Sequence, residues 1–247
     1  MNILAVDTST SAMNIAVVTD KEKTSYHHTG KIEHSENLMP LIIELSKKAG
    51  LSLKDYDLLV CPKGPGSFTG LRIAMSCLKG ISVATDTPFV LVDTNLVFAA
   101  QTTYFDGIVV PVIDAKKKRF YTSLFKNGNR LTKDLDTTED EIIELLKNEK
   151  RVLFTGPDAA VFYEKLLAKD FKKKLPNLQA FVDTAKCDFA LQLCEKGLEE
   201  FNAIGASEMG IGPNYIRKSD AEVSLENKIK EMNETQLKNQ LLTNCSL

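Results

Sequence analysis

Apolar and polar positions along the chain fall into short blocks with two distinct periods. Residues 2–6 form an apolar run that ends on Asp7. Residues 13–18 (Met-Asn-Ile-Ala-Val-Val) and 23–28 follow, joined by the polar turn Thr19-Asp20-Lys21-Glu22. Such short connections predict an antiparallel meander. From 35 to 49 the period becomes helical, with Leu38, Leu41, Ile42, Leu45 and Ala49 on one stripe, and Gly50 ends the helix. Residues 57–61 (Asp-Leu-Leu-Val-Cys) predict a buried strand, 69–84 a second helix, 88–92 a strand and 93–102 a third helix.

A similar order then begins again. Residues 107–115 are an apolar strand that carries Asp114 near its end, and 119–125 are the next strand, followed by the turn Lys126-Asn127-Gly128-Asn129. Helices are predicted at about 138–148, 157–168 and 185–201, with strands at 151–155 and 178–182. The segments ILAVDTSTSAMNIAVVTDKEK and VVPVIDAKKKRFYTSLFKNGN share one plan: apolar strand, Asp, short loop, second strand, polar turn. This reads as an internal duplication. It predicts an α/β protein of two tandem ribonuclease-H-like lobes, resembling the halves of the actin, Hsp70 and sugar-kinase (ASKHA) superfamily. The expected division is 1–103, 104–217 and a polar tail, 218–247, without a firm apolar stripe.

Composition narrows the range of functions. The 247 residues are 43% hydrophobic and 26% charged, with a formal net charge of −2. That suits a core-forming globular protein and leaves no domain-wide basic footprint for tight nucleic-acid binding. The basic knots Lys116-Lys117-Lys118-Arg119 and Lys169 with Lys172-Lys173-Lys174 read as solvated faces. No signal peptide or membrane span is predicted. The five cysteines (Cys61, Cys77, Cys187, Cys194, Cys245) form no C-x-x-C pair, which fits a reducing cytoplasm.

The stretch Lys63-Gly-Pro-Gly-Ser-Phe-Thr-Gly-Leu-Arg72 is the main candidate for chemistry. Gly64, Gly66 and Gly70 allow close backbone approach, and Ser67 or Thr69 can cap the helix that follows, whose free N–H groups suit an anion. With Asp7, Thr8 and Ser9 from the first strand, and Asp114 from its repeat, these residues form a candidate phosphate loop. The stretch is not a Walker A loop, because no Lys-Ser/Thr pair follows Gly70. The alternative is a tight strand-to-helix turn. Asp7 and Asp114 flanking a Mg²⁺-phosphate is the one catalytic arrangement the residues offer. The three histidines give no metal motif: His27 and His28 alternate on a strand and leave at most one to join His34.

Five segments occur in order and at family spacing: ILAVDTST at the start, HSENLMPLI at 34–42, GPGSFTGLRI at 64–73, IDA at 113–115 and PNYIRK at 213–218. On them the chain resembles the TsaB (YeaZ) family over about residues 1–218. The resemblance implies a non-catalytic partner of TsaD in making N6-threonylcarbamoyladenosine (t6A) beside the anticodon of tRNAs that read ANN codons. It implies a heterodimer with a TsaD-like protein, recruitment of a TsaE-like ATPase, tRNA bound through the complex, and a homodimer when alone. ATP is used by the complex; firm cofactor binding by this chain is not expected. TsaD carries an H-x-x-x-H metal motif whose positions here are Thr94 and Phe98, so no metal is expected.

The resemblance also implies that the helices 35–49 and 69–84 form the partner surface. The second helix is apolar nearly all round: Leu71, Ala74, Met75, Leu78 and Ile81 line one side, and Ile73, Cys77, Gly80 and Ala84 another. Met39 and Ile43 make a second stripe on the first helix. The expected interface is Leu38, Met39, Ile43, Ile73, Cys77 and Gly80. Two other readings stay open at this point: a nucleotide-hydrolysing enzyme or kinase using Asp7 and Asp114, and a metallopeptidase.

Overall fold

The computed structural model describes residues 1–30, 33–184 and 188–217, with positions 224, 228 and 229 of the tail. Residues Met1–Asn214 form one unit, and the chain from Tyr215 onward forms a second. The predicted polar tail lies almost wholly outside the described residues.

Within the first unit, the predicted meander is three antiparallel strands: β1 (Ile3–Asp7), β2 (Ala12–Val18) and β3 (Lys23–Thr29). Helix α1 (His34–Lys48) leads to β4 (Leu58–Gly64), which lies parallel to β1. Helix α2 (Phe68–Thr85) leads to β5 (Phe89–Asp93), parallel to β4, and Asp93 caps α3 (Thr94–Ala100). The sheet order is β3-β2-β1-β4-β5.

The second half repeats this order. Its strands are β6 (Ile108–Asp114), β7 (Phe120–Thr122), β8 (Phe125–Lys126), β9 (Asn129–Arg130), β10 (Leu135–Thr137), β11 (Arg151–Thr155) and β12 (Gln179–Val182). Its helices are α4 (Glu139–Leu145), α5 (Ala159–Ala168), α6 (Phe171–Lys174) and α7 (Phe189–Ile204). The main path runs β10-β7-β6-β11-β12, again two antiparallel pairs followed by two parallel ones. Two ribonuclease-H-like sheets with one topology are the duplication predicted from the repeated pattern, and the fold is of the ASKHA class.

Besides adding the short elements β9, β10 and α6, which the pattern did not mark, the structure differs from it in two places. The strand expected over 119–125 is broken between Thr122 and Phe125. Opposite the gap, β6 carries Pro111, which has no N–H for the ladder. Leu124 turns away instead: its N–H donates to Thr132 Oγ1 at 3.0 Å, and its carbonyl accepts from Leu131 N at 2.7 Å. The second difference concerns the boundary at 103/104. Helix α7 comes late in the chain but buries Phe189, Ala190, Leu193 and Cys194 against Ile3, Ala5, Val60 and Val90 of the first sheet. Parallel strands such as β1, β4 and β5 need cover on both faces. α1 and α2 cover one face, around Leu4, Val6, Leu59, Cys61 and Leu78, and α7 covers the other. The first lobe is therefore completed by a helix that chain order assigned to the second.

Candidate functional site

Asp7 ends β1, paired in register with Asn14 of β2, and is fully buried. Its carboxylate accepts from Ser9 N at 2.7 Å and from Asn14 Nδ2 at 2.8 Å. Burial pushes the Asp7 carboxyl above the usual carboxylate range, and these hydrogen bonds pull against that rise. Thr8 and Ser9 are buried too.

The candidate loop lies directly on this turn. Ser67 N donates to Ser9 O at 2.6 Å, and Thr8 Oγ1 donates to Gly70 O at 2.7 Å. A Cβ on Gly66 would stand 2.5 Å from Ser9 O, and one on Gly70 would strike Thr8 O. Ser67 caps α2, with Oγ accepting from Gly70 N at 3.2 Å. On the other side Asn214 N donates to Lys63 O at 2.6 Å, and a Cβ on Gly64 would meet Asn214 O at 2.7 Å. The glycines bring backbone against backbone. They leave no room between the loop and the Asp7 turn for a phosphate group.

Asp114 occupies the equivalent place in the repeat. Its Oδ1 accepts from Lys116 N at 2.8 Å, as Asp7 Oδ1 accepts from Ser9 N. It remains partly exposed and pairs with Lys116 Nζ at 2.8 Å. Burial raises its pKa, but the Lys116 hydrogen bonds outweigh this and hold it below the usual range. Asp114 N donates to Asp158 Oδ2 at 2.7 Å. Asp7 is sealed and Asp114 is tied to Lys116, so the structure does not present the two as an open pair for a Mg²⁺-phosphate. Among the described residues no group of three His, Cys, Asp or Glu converges to hold a metal ion.

Thr94 and Phe98 do not fit a metal either. Thr94 is buried with a hydroxyl that lacks a partner, and the Phe98 ring packs 4.5 Å from Phe189. The neighbouring carboxylate, Asp93, is held by Arg130 Nη2 at 2.5 Å. Arg130 Nη1 also reaches Asp134 at 2.7 Å, so one guanidinium serves two carboxylates. Burial, and then the nearby Asp134 charge, push Asp93 up to about 6. Arg130, Asp134 and the Asn14–His27 contact of 2.6 Å escaped the sequence reading. Asn14 alone left a signal there, as a polar residue in an apolar strand.

The two helices expected to form the interface, α1 and α2, touch along one seam, where Cys77 Sγ lies 3.9 Å from Met39 Sδ. Met39, Ile73 and Cys77 are half-buried, Ile43 is 38% exposed, and Gly80 lies open with nothing near its missing Cβ. Leu38 is a correction: at 2% exposure it points into the core beside Ile42 and Leu45 and is closed to any partner. It sits on the main stripe of α1, one residue round the helix from the outward face. Val83, 71% exposed, extends that face beyond the expected set. The Lys79 ammonium is engaged elsewhere: it donates to the carbonyls of Met209 (2.7 Å) and Ile211 (2.5 Å).

Residues 28–225 match the family model described as TsaD, tRNA N6-adenosine threonylcarbamoyltransferase. Among curated relatives, the tRNA threonylcarbamoyladenosine biosynthesis protein TsaB of Bacillus subtilis (strain 168) is 30% identical over 230 residues, 90% of this chain and 96% of that protein. TsaB of Escherichia coli (strain K12) is 31% identical over 123 residues, 49% of this chain and 53% of the relative. Among solved structures, YeaZ from Pseudomonas aeruginosa superposes with a TM-score of 0.67 at 20% identity, over 87% of this chain and 99% of that one, which shows a common fold. With a relative of that identity matched almost end to end, the chain belongs to the TsaB family of tRNA threonylcarbamoyladenosine biosynthesis proteins.

Proposed function

We propose that the chain is a non-catalytic subunit of the t6A-forming machinery, which holds a TsaD-type subunit in its active arrangement through the outward face of α1 and α2. The observation that carries this reading is the closed loop: Ser67 N donates to Ser9 O and Thr8 Oγ1 donates to Gly70 O, and the glycines bring the loop so close to the Asp7 turn that no phosphate fits between them. The apolar seam of Met39, Ile43, Ile73 and Cys77 supports the partner half of the reading. In this scheme the chain forms a homodimer alone and exchanges it for the heterodimer. A TsaE-type ATPase and tRNA join through the complex, ATP is consumed there, and the protein works in the cytoplasm.

The test is reconstitution. TsaD from the same cell, with the TsaE-type ATPase, tRNA, ATP and a threonylcarbamoyl donor, should modify tRNA only when this chain is added. Asp7→Asn should support modification as well as the wild type does. If t6A forms equally well without the chain, the scaffold role fails. If Asp7→Asn abolishes an ATP turnover seen with the isolated chain, the enzyme reading replaces it.

A further inference from the structure

Helix α3 bridges the two sheets. Val97 lies in the core of the first with Val90 and Val92, while Leu96 and Ala99 lie with Val109, Phe125 and Leu153 of the second. Charge holds its N-terminus as well. Asp93 Oδ1 accepts from Leu96 N at 3.0 Å and lies 2.5 Å from Arg130 Nη2 of β9. Arg130 Nη1 and Asn95 Nδ2 both donate to Asp134 Oδ1, at 2.7 Å and 2.9 Å. The segment from Arg130 to Asp134 is thereby pinned to the start of α3.

Two features set this contact apart from an ordinary ion pair. The first is the charge count. Asp134 and Arg130 are the charged groups that face Asp93, and the side chains of Asp93, Asp134 and Arg130 are 14%, 7% and 29% exposed. One guanidinium for two carboxylates leaves a negative charge without a partner, which burial penalises. The two carboxyl groups lie within hydrogen-bonding reach of each other, so one shared proton cancels that charge. Burial and the Asp134 charge push Asp93 up to about 6, in keeping with this. The second feature is a set of unpaired atoms. Thr94 Oγ1, Asn95 Oδ1 and Ser123 Oγ are buried without a partner. Thr94 and Asn95 follow Asp93 in the chain, and the register of β7 on β10, Thr122 with Leu135, brings Ser123 level with Asp134. Buried unpaired polar atoms are costly, and the cost ends when water reaches them.

We propose that the segment Arg130–Asp134 is a proton-sensitive latch on α3, shut while Asp93 and Asp134 share a proton. When that proton is lost to solvent, the segment lifts from α3 more readily, and water reaches the carboxylates and the unpaired groups beside them. The latch stands apart from the scaffold reading and uses none of the α1–α2 face.

Hydrogen exchange of the full chain at pH 5.0 and pH 7.5, corrected for the intrinsic rate at each pH, tests this. The reporters are Leu96 N, which donates to Asp93, and Leu131 N, which donates to Leu124 O. Their opening should be about tenfold more frequent at pH 7.5, as follows from a carboxyl that titrates at about 6 when shut and near 3.9 when open. At both pH values they should be far less protected than the amides of α5, which exchange only on wider unfolding. Asp93→Asn and Asp134→Asn each remove one charge and keep an acceptor, and each should abolish most of the pH difference. If one of them does not melt like the wild type, the other decides. No pH difference at the reporters, the same difference in the variants, or reporters as well protected as α5 would each overturn the proposal.

Discussion

Gly70 stands where the Asp7 turn and the loop press together. Any side chain there drives Cβ into Thr8 O, which is backbone and cannot swing away. Gly70→Val should therefore cost about 3 kcal/mol or more, and Gly66→Val, against Ser9, about 1–3 kcal/mol. Denaturant midpoints check this, and unchanged midpoints for both would show that the loop is not closed. Asp93 gives a pH prediction. Its folded pKa, about 6, lies above the unfolded value near 3.9. Its contribution is fully present below about pH 4 and is lost as pH rises through 6. The two-unit shift corresponds to at most about 3 kcal/mol. Asp93→Asn keeps an acceptor for Leu96 N and leaves Arg130 to Asp134. Compared with the wild type, it should gain stability at pH 7.5 and lose most of that advantage at pH 4. An unchanged difference between the two pH values would rule out Asp93 as the titrating group.

At the scale of the element, α2 is apolar on two sides. Leu71, Ala74, Leu78 and Ile81 are buried in its own lobe, Ile73 and Cys77 are half-buried at the edge of that core, and Gly80 and Val83 are exposed. Gly80 separates folding from association. Alanine is a better helix former than glycine by about 1 kcal/mol, and no atom lies near the new methyl group. Gly80→Ala should raise the melting midpoint of the monomer yet weaken pairing with a closely packed partner. If it raises the midpoint and pairing is unchanged, Gly80 is outside the contact. Charge at the centre is the harsher test. Ile73→Glu, or Ile43→Glu at the more exposed position, would bury a carboxylate without a partner, and association should fall about a hundredfold or more. Gel filtration with light scattering, then capture of the TsaD-type subunit, reads this out. Folded variants that still dimerise and still bind would place the interface elsewhere.

Over the whole molecule, the duplication has diverged in a directed way. Both lobes keep an Asp at the end of the first strand that accepts from the N–H two residues on. The first lobe closes its Asp under the loop, and the second leaves its Asp at the surface beside Lys116. A nucleotide held across both would need both open. The isolated chain is thus expected to show no ATP turnover that depends on Asp7, with Mg-ATP causing no shift in melting midpoint that Asp7→Asn removes. A shift in the wild type alone would show that the Asp7 turn opens in solution.

Much of this was legible in the chain itself. The alternation of apolar strands and helical stripes, repeated once, determined the two lobes, because each element buries one face and announces it by its period. The Gly-Pro-Gly-Ser loop and its capping serine were equally plain. Leu38 was misplaced because a stripe shows that a residue is apolar without showing how far round the helix the core extends. The strand break at Ser123 needed the knowledge that Pro111 lies opposite, which is a matter of register. α7 carried its apolar stripe openly, but nothing in a stripe names the sheet it will cover. The closure of the loop on Thr8 and Ser9, the sharing of Arg130 by Asp93 and Asp134, and the Asp7–Asn14–His27 chain join residues from 4 to 62 positions apart in sequence. Local sequence sets what each residue can do; only the tertiary structure decides which partner it meets, because a hydrogen bond or a steric contact depends on distance in space.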